Sequence, residues 1–239
     1  MSESLRAIAK MIDHSLLHPT MTDQELIAGC QLAKKYDVAS VCIKPYAVQL
    51  AREQLKGSDV LVGAVIGFPS GSHKVEAKVY EAELALADGA VELDMVLNIG
   101  KALSRDWEYI RHEIKAINDL TVSHGKLLKV IFETDYVDQD DLRIQLCLIC
   151  SEIAVAFVKT STGYNYVKQA DGQMAYAGAS DYVLKLMRRE CPPSVQVKAA
   201  GKVKTLDDVL RVRALGVTRV GATSTAEILE EAKKRGFKD

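Results

Sequence analysis

The 239-residue chain carries almost no net charge, with 31 lysines and arginines against 32 aspartates and glutamates. That leaves no electrostatic footprint for nucleic acid, although a small anion needs only a few donors. No run approaches the roughly 18 apolar residues of a membrane span. The start, MSESLRAIAKMIDHSLLHPT, lacks the long apolar core of a secretory signal. The expectation is a cytoplasmic protein with neither membrane nor nucleic acid as partner. No G-x-G-x-x-G follows an early strand, which argues against a dinucleotide-binding sheet. The five cysteines, an odd count in a chain this long, do not suggest a disulfide scaffold.

Other features are discounted for stated reasons. Cys147 and Cys150 form a C-x-x-C, but inside the amphipathic helical pattern DLRIQLCLICSEI. A thioredoxin-like pair should follow a strand and open a helix, so these read as small core residues. His14 and His18 are four apart, yet HSLLHP ends a strand and contains proline, which argues against a helical zinc pair. No metal is expected. The lone Trp107 in SRDWEYI reads as helix packing.

No repeat, low-complexity tract or linker interrupts the chain, which reads as a single domain over 1–239. Apolar, β-rich runs recur near MIDHSLL, SVCIK, VLVGAVIGF, VELDMVL, LLKVIFE, VAFVKTS, VQVKAAG and TRVGATS. Helical patterns lie between them at 23–36, 45–56, 74–88, 104–124, 138–151, 174–190 and 205–215, with another at 225–236. TLDD at 205–208 has the form of a capping box, and ADGA and ALGV supply C-terminal glycines. Eight β/α units behind a short N-terminal helix fit an α/β fold, a (β/α)8 TIM barrel. A doubly wound open sheet is the alternative, because strand–helix repetition does not show closure.

Polar residues inside these strands share a parity, and alternate residues on a strand point to opposite faces. Glu92, Asp94 and Asn98 match in VELDMVLN, Lys129 and Glu133 in LLKVIFE, and Gln196 and Lys198 in VQVKAAG. Lys159 falls in line with Val155 and Phe157. In a barrel the outer face packs against helices, while the inner face near the C-terminal mouth can carry a site. A single strand lysine is usually an edge or snorkelling residue, and salt bridging alone is the bland account of all three. Clustered lysines in a dry pocket have another use. One cation lowers the pKa of its neighbour, and the neutral amine can attack a carbonyl carbon to form a Schiff base. Protonated, that adduct is an electron sink for making or breaking a carbon–carbon bond.

KTSTG at 159–163, AAGK at 199–202 and VGATS at 220–224 are small-residue turns at strand ends. Such turns expose N–H groups beside helix N-termini, so together they suggest a phosphorylated substrate.

These stretches resemble the deoxyribose-phosphate aldolases, class I aldolases that cleave 2-deoxy-D-ribose 5-phosphate. The similarity runs through IDHSLL, VIGFPSG, GAVELDMVLNIG, LKVIFET, FVKTSTGY, VKAAGKVKT and RVGATS, nearly the whole chain. The resemblance implies a (β/α)8 barrel, a homodimer or homotetramer, no cofactor, and a phosphorylated sugar and acetaldehyde as partners. It makes Lys159 the Schiff-base lysine, Lys198 the second lysine that depresses its pKa, and Asp94 the acid/base group. It places Gly163, Gly201, Gly221, Thr223 and Ser224 around the phosphate, Asp13, Ser15, Cys42 and Lys129 along the pocket, and Thr160 among the substrate-binding residues. The chain departs from the family in three ways. Lys202 stands where a second glycine is common, weakening a backbone phosphate contact but adding a charge. Lys44 occupies a variable position and receives no role. No tyrosine ends the chain, as one does in some relatives; Tyr164, Tyr166 or Tyr176, in the long stretch after the lysine motif, could fold inward instead. Three other readings stay open: a different lysine-dependent phosphosugar aldolase, a non-catalytic phosphosugar-binding barrel, and a barrel isomerase with Glu133 as base, which lacks an obvious histidine partner.

Overall fold

The computed structural model describes residues 4–168 and 171–238. Its strands are β1 (Ile12–Leu16), β2 (Ser40–Ile43), β3 (Leu61–Ile66), β4 (Glu92–Val96), β5 (Leu127–Ile131), β6 (Phe157–Lys159), β7 (Val167–Lys168), β8 (Met174–Ala175), β9 (Gln196–Ala200) and β10 (Arg219–Ala222). All but β7 and β8 form a closed barrel of parallel pairs, with β1 bonded to both β2 and β10. Closure excludes the open sheet and is the (β/α)8 architecture expected. β7 and β8 make a separate antiparallel hairpin.

The helices are α1 (Leu5–Ala9), α2 (Asp23–Lys35), α3 (Val48–Gln54), α4 (Val75–Asp88), α5 (Ile99–Leu103), α6 (Trp107–Ser123), α7 (Asp140–Ile153), α8 (Asp181–Glu190), α9 (Leu206–Ala214) and α10 (Thr225–Lys234). None is long and apolar enough to cross a membrane. The capping box expected at 205–208 forms between Thr205 and Asp208 and opens α9. Gly89 ends α4 in the left-handed conformation.

The main apolar core lies between barrel and helices. Leu93 and Met95 of β4, Leu128 and Val130 of β5 and Val158 of β6 turn outward into it. Cys147 and Cys150 join it fully buried, as read from the helical pattern. A second, small cluster of Leu17, Cys42 and Val65, with Phe68 and Tyr164 against it, stands apart from the first.

Two helical readings need correction. The helix expected over 174–190 is only Asp181–Glu190, preceded by β8 and a loop. The cause is local competition: the Ser180 side chain accepts from Val183 N–H and starts the helix there. The pattern over 104–124 also begins late. Arg105 takes φ 58° and the Asp106 side chain caps α6 by accepting from Tyr109 N–H.

Candidate active site

Strand alternation turns Asp13, Asp94, Lys129, Lys159 and Lys198 into the barrel. Lys159 and Lys198 face one another in register on β6 and β9, as Asp94 and Lys129 do on β4 and β5. Lys159 donates to Oδ2 of Asp94 at 2.7 Å, and Lys198 donates to the same oxygen at 2.7 Å. Two nitrogens sharing one acceptor can be no further apart than twice that distance, so each ammonium feels the other directly. Lys198 also donates to Asp13. Lys129 donates to Glu92 at 2.6 Å and to Asp13 at 3.0 Å. It also lies 3.0 Å from Asp94 Oδ1, but out of line for a hydrogen bond. Oδ1 therefore accepts no hydrogen bond from the described residues. Arg219 completes the network from β10, donating to Asp13 at 2.6 Å and to Glu92 at 3.0 Å.

These ionisations support one another. Burial alone would push Asp13 and Asp94 up. For Asp13 the cations Lys129, Lys198 and Arg219 outweigh burial, and for Asp94 Lys129, Lys159 and Lys198 do, so both stay below the usual carboxylate range. Burial would likewise push Lys129 and Lys198 down, but Asp13 and Asp94 hold both above the ordinary lysine value. Lys198 is therefore not a bare cation beside Lys159, since it carries acidic partners of its own. With every group ionised, Lys129, Lys159, Lys198 and Arg219 face only Asp13, Glu92 and Asp94. The network holds one positive charge too many. Lys159 has the fewest acidic partners of these lysines, Asp94 alone among the described residues.

Above the network opens a cavity of about 410 Å³ with Lys159 in its wall. Ser15, Gly163, Gly201, Lys202, Gly221 and Thr223, all named from the sequence, line it. So do Tyr164, Tyr166 and Tyr176, all three of the tyrosines left open above. Among the described residues no aspartate or glutamate does, while Lys159, Lys202 and Lys204 do, which biases the cavity towards anions. A Cβ at Gly221 would stand 3.7 Å from Lys198 Cε and 3.8 Å from Ser15 Oγ.

Other expected residues lie elsewhere. Asp13, Asp94, Lys129 and Lys198 sit buried beneath the cavity. Cys42 lies beside them, its Sγ 3.9 Å from Asp94 Oδ2, and burial pushes its thiol up to about 11. Thr160 does not line the cavity: its hydroxyl donates to Ala200 O and accepts from Ala200 N–H, tying β6 to β9. Ser224 stands at the N-terminus of α10, just outside the lining. His14 turns away and bonds Thr225, and His18 bonds Thr20, so the two histidines do not converge. Glu133 does not serve as a free base. It accepts from Thr162 N–H and hydroxyl and from Asn165, holding down the turn after β6.

Sequence reading passed over Arg219 and gave Glu92 no role. A signal existed for both. Arg219 shares the parity of Gly221 in TRVGATS, as Glu92 shares that of Asp94. The buried Lys78–Glu113 pair left no such trace, because α4 and α6 each offer many charged positions.

The family model described as DeoC/LacD family aldolase matches residues 7–223. The chain belongs to the DeoC/LacD aldolases. Among relatives of this DeoC/LacD chain, the deoxyribose-phosphate aldolase of Rhodopirellula baltica is 47% identical over 228 residues, covering 95% of this chain and 90% of that protein. That of Caldanaerobacter subterraneus is 42% identical over 98% of this chain and 97% of its own. Among solved structures, the tetrameric deoxyribose phosphate aldolase of Aeropyrum pernix superposes with a TM-score of 0.83 at 26% identity. It covers 97% of this DeoC/LacD chain and 93% of its own length.

Proposed function

We propose that the chain is a class I aldolase that reversibly cleaves 2-deoxy-D-ribose 5-phosphate to D-glyceraldehyde 3-phosphate and acetaldehyde. The observation that carries this reading is the pair of lysines on one oxygen of Asp94, beneath a cavity with cations and, among the described residues, no carboxylate in its wall. Family membership gives the reaction class, and the named relatives give the substrate.

In the cleavage direction Lys159, the lysine with fewest acidic partners, is the nucleophile. The neutral amine attacks the aldehyde carbon of the open sugar. The carbinolamine loses water to leave a protonated Schiff base. A base takes the proton from the C3 hydroxyl and the C2–C3 bond breaks. Its electron pair passes into the iminium as an enamine, and glyceraldehyde 3-phosphate leaves. Asp94 Oδ1, which accepts no hydrogen bond from the described residues, is placed for these proton transfers, directly or through water. Protonation of the enamine carbon and hydrolysis then release acetaldehyde and restore Lys159. Lys198, Lys129, Arg219, Asp13 and Glu92 hold the charge around the reacting pair, with preorganised groups in place of mobile water.

The phosphate end lies along Gly163, Gly201, Lys202, Gly221 and Thr223, with the α10 N-terminus behind. We also infer a cytoplasmic enzyme that assembles as a homodimer or homotetramer, as the Aeropyrum relative is titled a tetramer.

Acetaldehyde with borohydride should fix a reduced adduct on the peptide containing Lys159 and nowhere else. Turnover by a Lys159→Ala variant at near-parent rates would exclude this chemistry.

A further inference from the structure

The stretch between β6 and α8 is anchored at several points by the segment after β5. Glu133 holds Thr162 and Asn165. Tyr136 donates to Tyr166 O at 3.0 Å, and Ala177 N–H donates to Asp135 at 2.6 Å. Gly178 is pressed against the turn after β9: a Cβ there would fall 2.7 Å from Gly201 O. The described flanks of the hairpin are thus tied down beside the cavity. They present Tyr166 and Tyr176, stacked edge to face with centroids 5.3 Å apart.

Against this wall stands Lys202. Its backbone takes φ 60°, a conformation that costs a side-chain-bearing residue about 1 kcal/mol and glycine little. Its ammonium lies 5.6 Å from the Tyr176 ring centroid, inside the range of cation–π attraction, and forms no ion pair among the described residues. An aromatic face holds a cation in place without neutralising it, so the full charge stays available to an anion in the cavity. Asp135, a carboxylate near Tyr176, is engaged by the Ala177 and Gly178 amides.

We propose that Tyr176 is a positioning residue for substrate specificity: it fixes the Lys202 ammonium against the sugar phosphate. On this view the β7–β8 hairpin sets discrimination between phosphorylated and unphosphorylated 2-deoxyribose without touching the reacting carbons. The inference rests on the phosphosugar aldolase reading above.

The test is the ratio of kcat/KM for 2-deoxyribose 5-phosphate to that for 2-deoxyribose. Tyr176→Leu is expected to lower the ratio about three- to tenfold, through KM for the phosphorylated sugar. Tyr176→Phe, which keeps the ring, is expected to retain it. In a Lys202→Met background the Tyr176→Leu change should lower the ratio no further. Tyr176→Gln replaces the leucine variant if that protein does not fold. Equal losses on both sugars, an unchanged ratio, or a full Tyr176 effect without Lys202 would each overturn the proposal. Each of those results leaves borohydride trapping at Lys159 intact. Failure of the parent protein to trap or cleave would instead sink the aldolase reading itself.

Discussion

Lys159 and Lys198, on adjacent barrel strands, donate to one and the same oxygen of Asp94. Removing one of them changes the charge balance as well as a contact. Lys198→Leu takes away one of the two lysine donors to Asp94 Oδ2 and one positive charge beside Lys159. We expect kcat/KM at pH 7 to fall at least about a hundredfold, with the acid limb of the pH–rate profile moving to higher pH. A limb in its original place, whatever the rate, would show that Lys198 does not set the protonation of Lys159.

Stability away from the site has its own buried pair. Lys78 donates to Glu113 at 2.6 Å and to Val96 O at 2.8 Å, and Glu113 accepts from Asn98 N–H at 2.8 Å, so the pair pins the end of β4. Both side chains are fully buried. Lys78→Met strands a carboxylate in the core and is expected to cost about 3–5 kcal/mol in urea unfolding. Adding Glu113→Leu should recover part of that loss. A single-variant cost under about 1 kcal/mol would mean that water reaches Glu113.

His14 gives the fold a pH dependence. Burial lowers its pKa from 6.5 to about 4, with Glu227 opposing. The unfolded chain then binds a proton that the folded one refuses, so stability is full above pH 6.5 and lost as pH falls towards 4. The loss is up to about 3 kcal/mol. Urea midpoints at pH 7 and pH 5 should differ less in His14→Gln than in the parent. Equal differences in the two proteins would assign the effect to other groups. The site carboxylates Asp13 and Asp94, whose folded pKa values are depressed, lose their contribution only below that window.

Glu133 holds Thr162 and Asn165 at the rim of the cavity. Glu133→Ala is expected to free this turn, raising KM for the phosphorylated sugar severalfold while borohydride trapping at Lys159 persists. Loss of trapping would give Glu133 a part in the chemistry that its hydrogen bonds do not suggest.

The order of strands and helices was legible because it is written in local periodicity. The alternation that sends Leu93 and Met95 out and Asp94 in needs only the pleat of a strand. Parity likewise announced that Lys129, Lys159 and Lys198 share the inner face. The α8 start at Ser180 and the β7–β8 hairpin were not legible, since small and polar residues there fit several local structures. Nor were the charge partners. Lys198 meets Asp13 across 185 positions and Arg219 meets it across 206. The sequence alone determined which side chains enter the barrel, because facing depends on neighbours one and two residues away. Which charge meets which, and that Lys202 comes to rest on Tyr176, was decided only when the ring of strands closed. Closure and stagger set the distances between residues far apart in the chain.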